Sequence, residues 1–365
     1  MITRPVFIMA ILFAIALLMS GLIYMPVFRI AKEKGLVDNP NARKLQKEPV
    51  PVMGGIVVFF GIIVGLCFFK TTVNYVNLFS TVCAMMVMLY VGTIDDILDI
   101  RAWVKFVIEI LLCLLIIYGT RNLMMNFQGL FGIVKLPVLA AVPLTVIGMV
   151  GIINALNMID GVDGLCSGMG IFIFGVLGLF LFLVHEYSYC ALAVICGAAL
   201  IPFFVHNVFG RSTKMYIGDG GALMIGVAVS SLIINILKGR GLAYTDFVPD
   251  FQRLGLVPFC LSVVSVPVFD AIRVMIVRMA HHIPPFAADR RHLHHHLMDS
   301  AGFSHIRTSL SEIGLQLLTF VLWLVSYLCG ASVTLQFVIV CIVGLATTAG
   351  LSFALQHRKK PLGSQ

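Results

Sequence analysis

Apolar residues in this chain come in long, nearly unbroken runs rather than in the alternating or one-faced patterns of soluble strands and helices. Crossing the hydrocarbon of a bilayer takes about 20 apolar residues in a helix. Eleven runs approach that length, roughly 5–28, 51–69, 78–94, 102–119, 136–153, 165–184, 190–209, 221–237, 256–277, 309–329 and 332–355. Hydrocarbon offers no partner for a backbone amide, so segments at that depth must be helical. The pattern predicts an all-α fold, a polytopic membrane helix bundle of eleven transmembrane helices, as a single domain over residues 1–365. The first run follows Arg4, exceeds the hydrophobic stretch of a cleaved signal and has no small-x-small site, so it is read as a retained helix.

Composition removes the other classes. Of 365 residues, 60% are apolar and 12% charged, with a mean hydropathy of +1.03, whereas a soluble domain is about 25% charged. A water-soluble globule, a disordered chain and a disulfide scaffold are all excluded. The nine cysteines form no CxxC pair and lie almost entirely within apolar runs, as small packing residues do. The net charge of +8 raises the question of nucleic acid, and the placement of the charges answers it. With the N-terminus outside, segments 29–50, 95–105, 154–164, 210–220, 278–308 and 356–365 face the cytoplasm and hold seventeen Lys and Arg, against seven on the other face. That is the positive-inside bias of a membrane protein. No nucleic-acid partner is needed, and the odd number of spans leaves the C-terminus cytoplasmic. Outside, the acids are only Glu186, Asp246 and Asp250; the inward face holds Asp95, Asp96, Asp99, Asp160, Asp163, Asp219, Asp289 and others, several at the very ends of spans, where carboxylates are costly.

Four clusters on that face carry candidate chemistry. Asp95-Asp96-Ile97-Leu98-Asp99 closes the third run, and helical spacing sets Asp99 beside both other acids. Such charges repel unless a cation shares the site or a proton is retained. Mg²⁺, bound by one or two carboxylates together with substrate phosphates, would supply the compensation; a solvated acidic loop is the plain alternative. In Asn154-Ala155-Leu156-Asn157-Met158-Ile159-Asp160-Gly161-Val162-Asp163-Gly164, oxygen-bearing side chains recur every three residues with no Lys or Arg among them. Asp160 and Asp163 also suit the positive end of the sixth helix, so simple capping accounts for them too. Tyr216-Ile217-Gly218-Asp219-Gly220-Gly221 sets a carboxylate among glycines at a helix start, a shape suited to Mg²⁺ and phosphate or to a turn and cap. Asp289-Arg290-Arg291-His292-Leu293-His294-His295-His296 suggests zinc, but no cysteine or fourth-ligand pattern accompanies it. Two arginines and several imidazoles fit a diphosphate better. A basic turn from Asp38 through Lys47 leads to Pro51-Val52-Met53-Gly54-Gly55, Asp270 and Arg273 read as a pair within the ninth run, and Glu109 and Glu312 have no assigned part.

In this order, from about residue 30 to 305, the motifs resemble the polyprenyl-phosphate N-acetylhexosamine-1-phosphate transferases. The resemblance implies a multi-pass enzyme of the bacterial cytoplasmic (inner) membrane with its active site facing the cytoplasm. Such an enzyme moves a sugar 1-phosphate from a UDP-N-acetylhexosamine to a polyprenyl phosphate, giving a lipid diphosphate sugar and UMP. The histidine segment followed by Gly302-Phe303 is similar to the branch that uses UDP-N-acetylglucosamine and undecaprenyl phosphate to begin O-antigen, enterobacterial common antigen or teichoic acid synthesis. The muramoyl-pentapeptide branch is the alternative, with His296 extra to its pattern and Lys47 at the place of its uridine contact. By resemblance, Asn157 and Asp219 would bind Mg²⁺ (with Mn²⁺ as a substitute), Asp95 and Asp96 would be the catalytic acids, and Asn154 and Asp160 would line the site, Asp160 beside those acids. Asp163 would contact uracil, Tyr216 would stack on it, and Arg290, His292, His294 and His295 would hold diphosphate and sugar. Membrane lipid is a partner, and a homodimer is compatible with this reading. An intramembrane prenyltransferase would require a second aspartate-rich repeat, and a transporter would place its polar residues at mid-bilayer.

Overall fold

A computed structural model of the chain describes residues 3–38, 49–69, 75–98, 100–238, 253–287 and 289–358. In chain order it contains α1 (Thr3–Glu33), β1 (Val37–Asp38), β2 (Val50–Pro51), α2 (Gly54–Cys67), α3 (Tyr75–Leu98), α4 (Ala102–Thr120), β3 (Asn126–Leu130), β4 (Ile133–Lys135), α5 (Val138–Met158), α6 (Leu165–Leu183) and α7 (Tyr187–Phe209). Then follow α8 (Gly218–Leu237), α9 (Leu256–Val263), α10 (Ser265–Ala280), α11 (Leu293–Asp299), α12 (His305–Leu328), α13 (Val333–Leu345), a π turn (Ala346–Gly350) and α14 (Leu351–Arg358). The fold is an all-α membrane bundle, and among the described residues the strands form two small antiparallel pairs, β1 with β2 and β3 with β4.

Nine helical stretches among the described residues are long and apolar enough to cross a membrane. Two of the eleven predicted spans depart from simple rods. The run over 51–69 yields a helix of only 14 residues, because its first residues are drawn into backbone pairing. Tyr216 N donates to Pro51 O at 2.8 Å, and Gly54 N and Gly55 N donate to Tyr216 O and Ile217 O, each at 2.9 Å. The run over 256–277 is bent by 79° between α9 and α10. Pro267 lacks an amide proton there and disfavours helix in the residue before it. The side chain of Gln316 fills the break: its Oε1 accepts from Val266 N at 2.9 Å, and its Nε2 donates to Ser262 O at 2.5 Å.

α8 is the axis of the bundle and is buried along its whole length, packed against α2, α3 and α5. Two backbone approaches hold it there. A Cβ on Gly92 of α3 would stand 2.3 Å from Gly220 N, and one on Gly55 of α2 would stand 2.6 Å from the Gly221 Cα. Side chains at these positions would push the helices apart. Their absence is what brings the last turns of α3 against the first turn of α8.

Candidate active site

That close approach gathers the acids. Asp95 and Asp96 lie in the last turn of α3, and Asp219 lies in the first turn of α8. α4, entered after a short connection, adds Lys105. Its Nζ lies 2.5 Å from Asp95 Oδ2 and 3.3 Å from Asp219 Oδ2, so one ammonium serves two carboxylates. The other oxygen of Asp95 accepts from Ile100 N at 2.7 Å. Asp96 Oδ1 accepts from Asp219 N at 3.3 Å. Gly218 has φ of +74°, and a Cβ there would lie 2.6 Å from Asp96 Oδ2, so both backbone conformation and space require glycine at that position.

The connection from α5 to α6 supplies the second group. Asp160 is half-buried. Burial first, then the charges of Asp219, Asp96 and Asp163, hold its carboxyl well above the usual carboxylate range. Asn157, one turn earlier, has its Oδ1 buried without a hydrogen-bond partner. Asp163 is paired through one oxygen: its Oδ2 lies 2.6 Å from Lys214 Nζ and 2.9 Å from His305 Nδ1, while its Oδ1 is buried without a partner. Burial pushes this carboxyl up, but the bonds from His305 and Lys214 outweigh it and keep Asp163 below its ordinary value. Lys214 also lies over the ring of Tyr216, 5.3 Å from its centroid. Asn207 ties the two segments together, accepting from Gly164 N at 2.6 Å and donating to Met215 O at 2.9 Å.

Beside these segments stands the histidine helix α11. His292 is wired into the protein at both ring nitrogens, Nδ1 at 2.8 Å from Asp270 Oδ2 and Nε2 at 3.4 Å from Arg278 Nη2. Asp270, 2% exposed, also accepts from Leu293 N at 3.1 Å and Arg273 Nη2 at 2.6 Å. Arg278 pairs in turn with Asp289 at 2.8 Å. His294 and His295 each keep a buried Nδ1 without a partner. Burial lowers both, His294 well below the usual imidazole value and His295 to about 4, so both are neutral at pH 7. His294 faces the α5–α6 connection, its Nε2 3.0 Å from where a Cβ on Gly161 would lie.

The glycosyl transferase family 4 model matches residues 78–237, the stretch that carries Asp95, Asp96, Lys105, Asn157, Asp160, Asp163 and Asp219. An undecaprenyl-phosphate alpha-N-acetylglucosaminyl 1-phosphate transferase of Escherichia coli O157:H7 is 30% identical over 285 residues, 76% of this chain and 72% of the relative. The chain belongs to glycosyl transferase family 4. A protein of the same name from Salmonella typhi is 28% identical over 308 residues, covering 81% of this chain and 79% of its own length. A probable undecaprenyl-phosphate N-acetylglucosaminyl 1-phosphate transferase of Bacillus subtilis is 25% identical over 291 residues, 79% and 76% of the two chains. This agrees with the resemblance carried by the motifs.

Within this glycosyl transferase the predicted residues fall into three sets. Asp95 and Asp219 meet on Lys105, Asp96 joins them through the Asp219 amide, and the charges of Asp219 and Asp96 reach Asp160. Asp163 and Tyr216 meet through Lys214. Of the histidine segment, His294 and His295 stand with unpartnered nitrogens, whereas His292, expected to hold substrate, is engaged at both nitrogens by the protein itself. Arg290 pairs with Asp299 at 2.9 Å. Lys47 and Asp99 lie outside the described residues. Zinc finds no cage here: among the described residues no three His, Cys, Asp or Glu stand together as metal ligands. A Mg²⁺ asks less of the protein, one or two side-chain oxygens with phosphates completing the shell. The orphaned oxygen of Asn157 and the crowded carboxylates, hard donors all, fit that ion.

Sequence reasoning missed Lys105, Lys214, His305, Asp270 as the anchor of His292, and Glu109. In the sequence Lys105 and Lys214 read only as positive-inside charges. The signal for Lys105 was its i, i+4 spacing from the unassigned Glu109 on α4.

Proposed function

We propose that this chain transfers N-acetylglucosamine 1-phosphate from UDP-N-acetylglucosamine to undecaprenyl phosphate, at the cytoplasmic face of a bacterial inner membrane, releasing UMP. The observation that carries the proposal is the meeting of Asp95 and Asp219 on one lysine, with Asp96 on the Asp219 amide, at the end of a buried helix. The names of the relatives supply the substrates. A polyprenyl tail stays in the bilayer while a nucleotide sugar stays in the cytosol, so the site must stand where headgroups meet water. Carboxylates at helix ends stand there.

In this scheme an oxygen of the lipid phosphate attacks the β-phosphorus of the nucleotide sugar. The bond from that phosphorus to the bridging oxygen breaks, and UMP leaves with the electron pair. Such a transfer needs positioning and charge stabilisation more than covalent help. Lys105 holds Asp95 and Asp219 in register. Asp96, joined to the start of α8 through the Asp219 amide, orients the lipid phosphate or takes its remaining proton. Asp163, kept ionised by Lys214 and His305, and Tyr216 bind the uridine. His294 and His295, neutral, offer one donor and one acceptor nitrogen each to diphosphate and sugar. Asp219 and Asn157 would hold Mg²⁺, which when bound neutralises charge developing on the phosphate oxygens.

The test is a product assay on purified protein with undecaprenyl phosphate and a panel of UDP-sugars. Labelled lipid with stoichiometric UMP from UDP-N-acetylglucosamine is expected. Inorganic diphosphate would mark a prenyltransferase, a preference for UDP-N-acetylmuramoyl-pentapeptide would mark the muramoyl branch, and no product would refute the scheme.

A further inference from the structure

α4 sets two charged side chains one turn apart, Lys105 and Glu109. Lys105 belongs to the acid cluster, and the scheme above gives Glu109 no part. Glu109 is 2% exposed in a membrane helix, where an ionisable side chain is expensive and marks function by default. Its Oε2 accepts from Asn154 Nδ2 at 2.5 Å, and the same Nδ2 donates to Val150 O at 3.0 Å. A backbone carbonyl can only accept, so the group facing it must be the NH₂, and the orientation of this amide is fixed by chemistry. Both of its protons are spent. The polar atom of Asn154 left for a ligand is Oδ1, and one turn later on α5 the Oδ1 of Asn157 is also without a partner. At Asn154, then, α5 presents an acceptor and no donor, and Asn157 adds a second unpartnered acceptor oxygen.

We propose that Glu109 is a positioning residue for the transfer reaction: it locks Asn154 with the amide oxygen free, so that α5 offers two acceptor oxygens a turn apart, from Asn154 and Asn157, to a group that brings positive charge or a hydrogen. At Asn154 a bare phosphate oxygen, itself an acceptor, is excluded. A hydrated divalent cation and a sugar hydroxyl both have the required chemistry. The inference rests on the functional reading above for its reaction, but its orientation argument stands on the hydrogen bonds alone.

The experiment compares Glu109→Leu and Glu109→Gln in the full-length purified protein. It measures Mn²⁺ affinity by electron paramagnetic resonance without substrates, and KM and kcat for UDP-N-acetylglucosamine. Glutamine keeps an oxygen that accepts from Asn154, and leucine does not. The leucine variant should lose about tenfold or more, the scale of one hydrogen bond to a charged group, while glutamine stays within about threefold of the parent. A loss in Mn²⁺ affinity identifies the cation as the ligand of Asn154, and a rise in KM with Mn²⁺ affinity intact identifies a hydroxyl. A folded leucine variant unchanged in both measurements overturns the proposal, as does a glutamine variant as damaged as leucine. If the leucine variant does not fold, Asn154→Asp sets an oxygen against Glu109 and should impair the same readouts. Adding Glu109→Gln, whose amide donates to that oxygen, should recover most of the loss, and no recovery refutes the orientation argument. Absence of lipid product in the parent protein would refute the functional reading, while the resonance comparison would still decide the role of Glu109.

Discussion

Around His292 both ring nitrogens meet protein partners, whereas around Lys105 one ammonium is divided between two carboxylates and a third, Asp96, is left to a backbone amide. Both clusters set aspartates against cationic side chains. The first is closed: Asp270, Arg273, Arg278 and Asp289 answer one another and fix the start of α11. The second is open: burial and then neighbouring charges hold the Asp160 carboxyl well above its ordinary range, and Asn157 Oδ1 has no partner. Buried polar groups left unpaired cost stability, so a fold retains them where a ligand will complete the set. The contrast separates residues that build the site from residues that await substrate.

Lys105→Met gives the largest effect expected of this contrast. Without the ammonium, Asp95 and Asp219 face each other uncompensated, and turnover should fall about 10²–10³-fold, the scale for losing one preorganised charge-stabilising group. The melting temperature should fall less than for a fully buried pair, because the Lys105 and Asp219 side chains keep 20% and 35% of their surface exposed and are partly screened. UMP release and thermal unfolding measured on one preparation would check both halves, and a variant with normal turnover would remove Lys105 from the centre.

Asp270→Ala should behave in the opposite way. Removing one member of a buried, hydrogen-bonded set strands Arg273 and His292, at a cost of about 3–5 kcal/mol. Stability should drop first, with activity lost through the disordered start of α11. A variant of parental melting temperature would show that the closed network is not what secures that helix.

Much of this was legible in the chain itself, and the missing part has a physical pattern. The eleven apolar runs became helices because in hydrocarbon nothing else satisfies the backbone, so no tertiary information was needed. The shortened α2 and the bend before α10 depend on partners distant in sequence, Tyr216 in one case and Gln316 in the other. Pro267 hinted at the bend but gave no measure of it. Convergence of Asp95, Asp96 and Asp219 was readable from their positions at span ends on one face. What each side chain pairs with was not. His292 looked like its neighbours His294 and His295 until Asp270, a turn of membrane helix 22 residues away in sequence, was seen against it.

Lys214→Met sharpens the comparison within the nucleotide half of the site. Lys214 holds Asp163 and covers Tyr216, so its loss leaves Asp163 with His305 alone. KM for the UDP-sugar should rise about tenfold with kcat nearly unchanged, since the base is remote from the reacting phosphorus. An equal fall in kcat would place Lys214 at the diphosphate instead.

The smallest effect tests the neutrality of the open histidines. In the folded protein His295 titrates at about 4, against 6.5 when unperturbed. Between those values the unfolded chain takes up a proton that the folded protein refuses, so stability falls as pH falls through that window and levels off below about pH 4. His294 acts in the same direction. His295→Gln removes one such contribution, and the decline in melting temperature from pH 6.5 to 4 should become shallower while the value at pH 7.5 stays close to that of the parent. A steeper decline would mean that His295 is protonated in the folded state and offers two donors to the diphosphate rather than a donor and an acceptor.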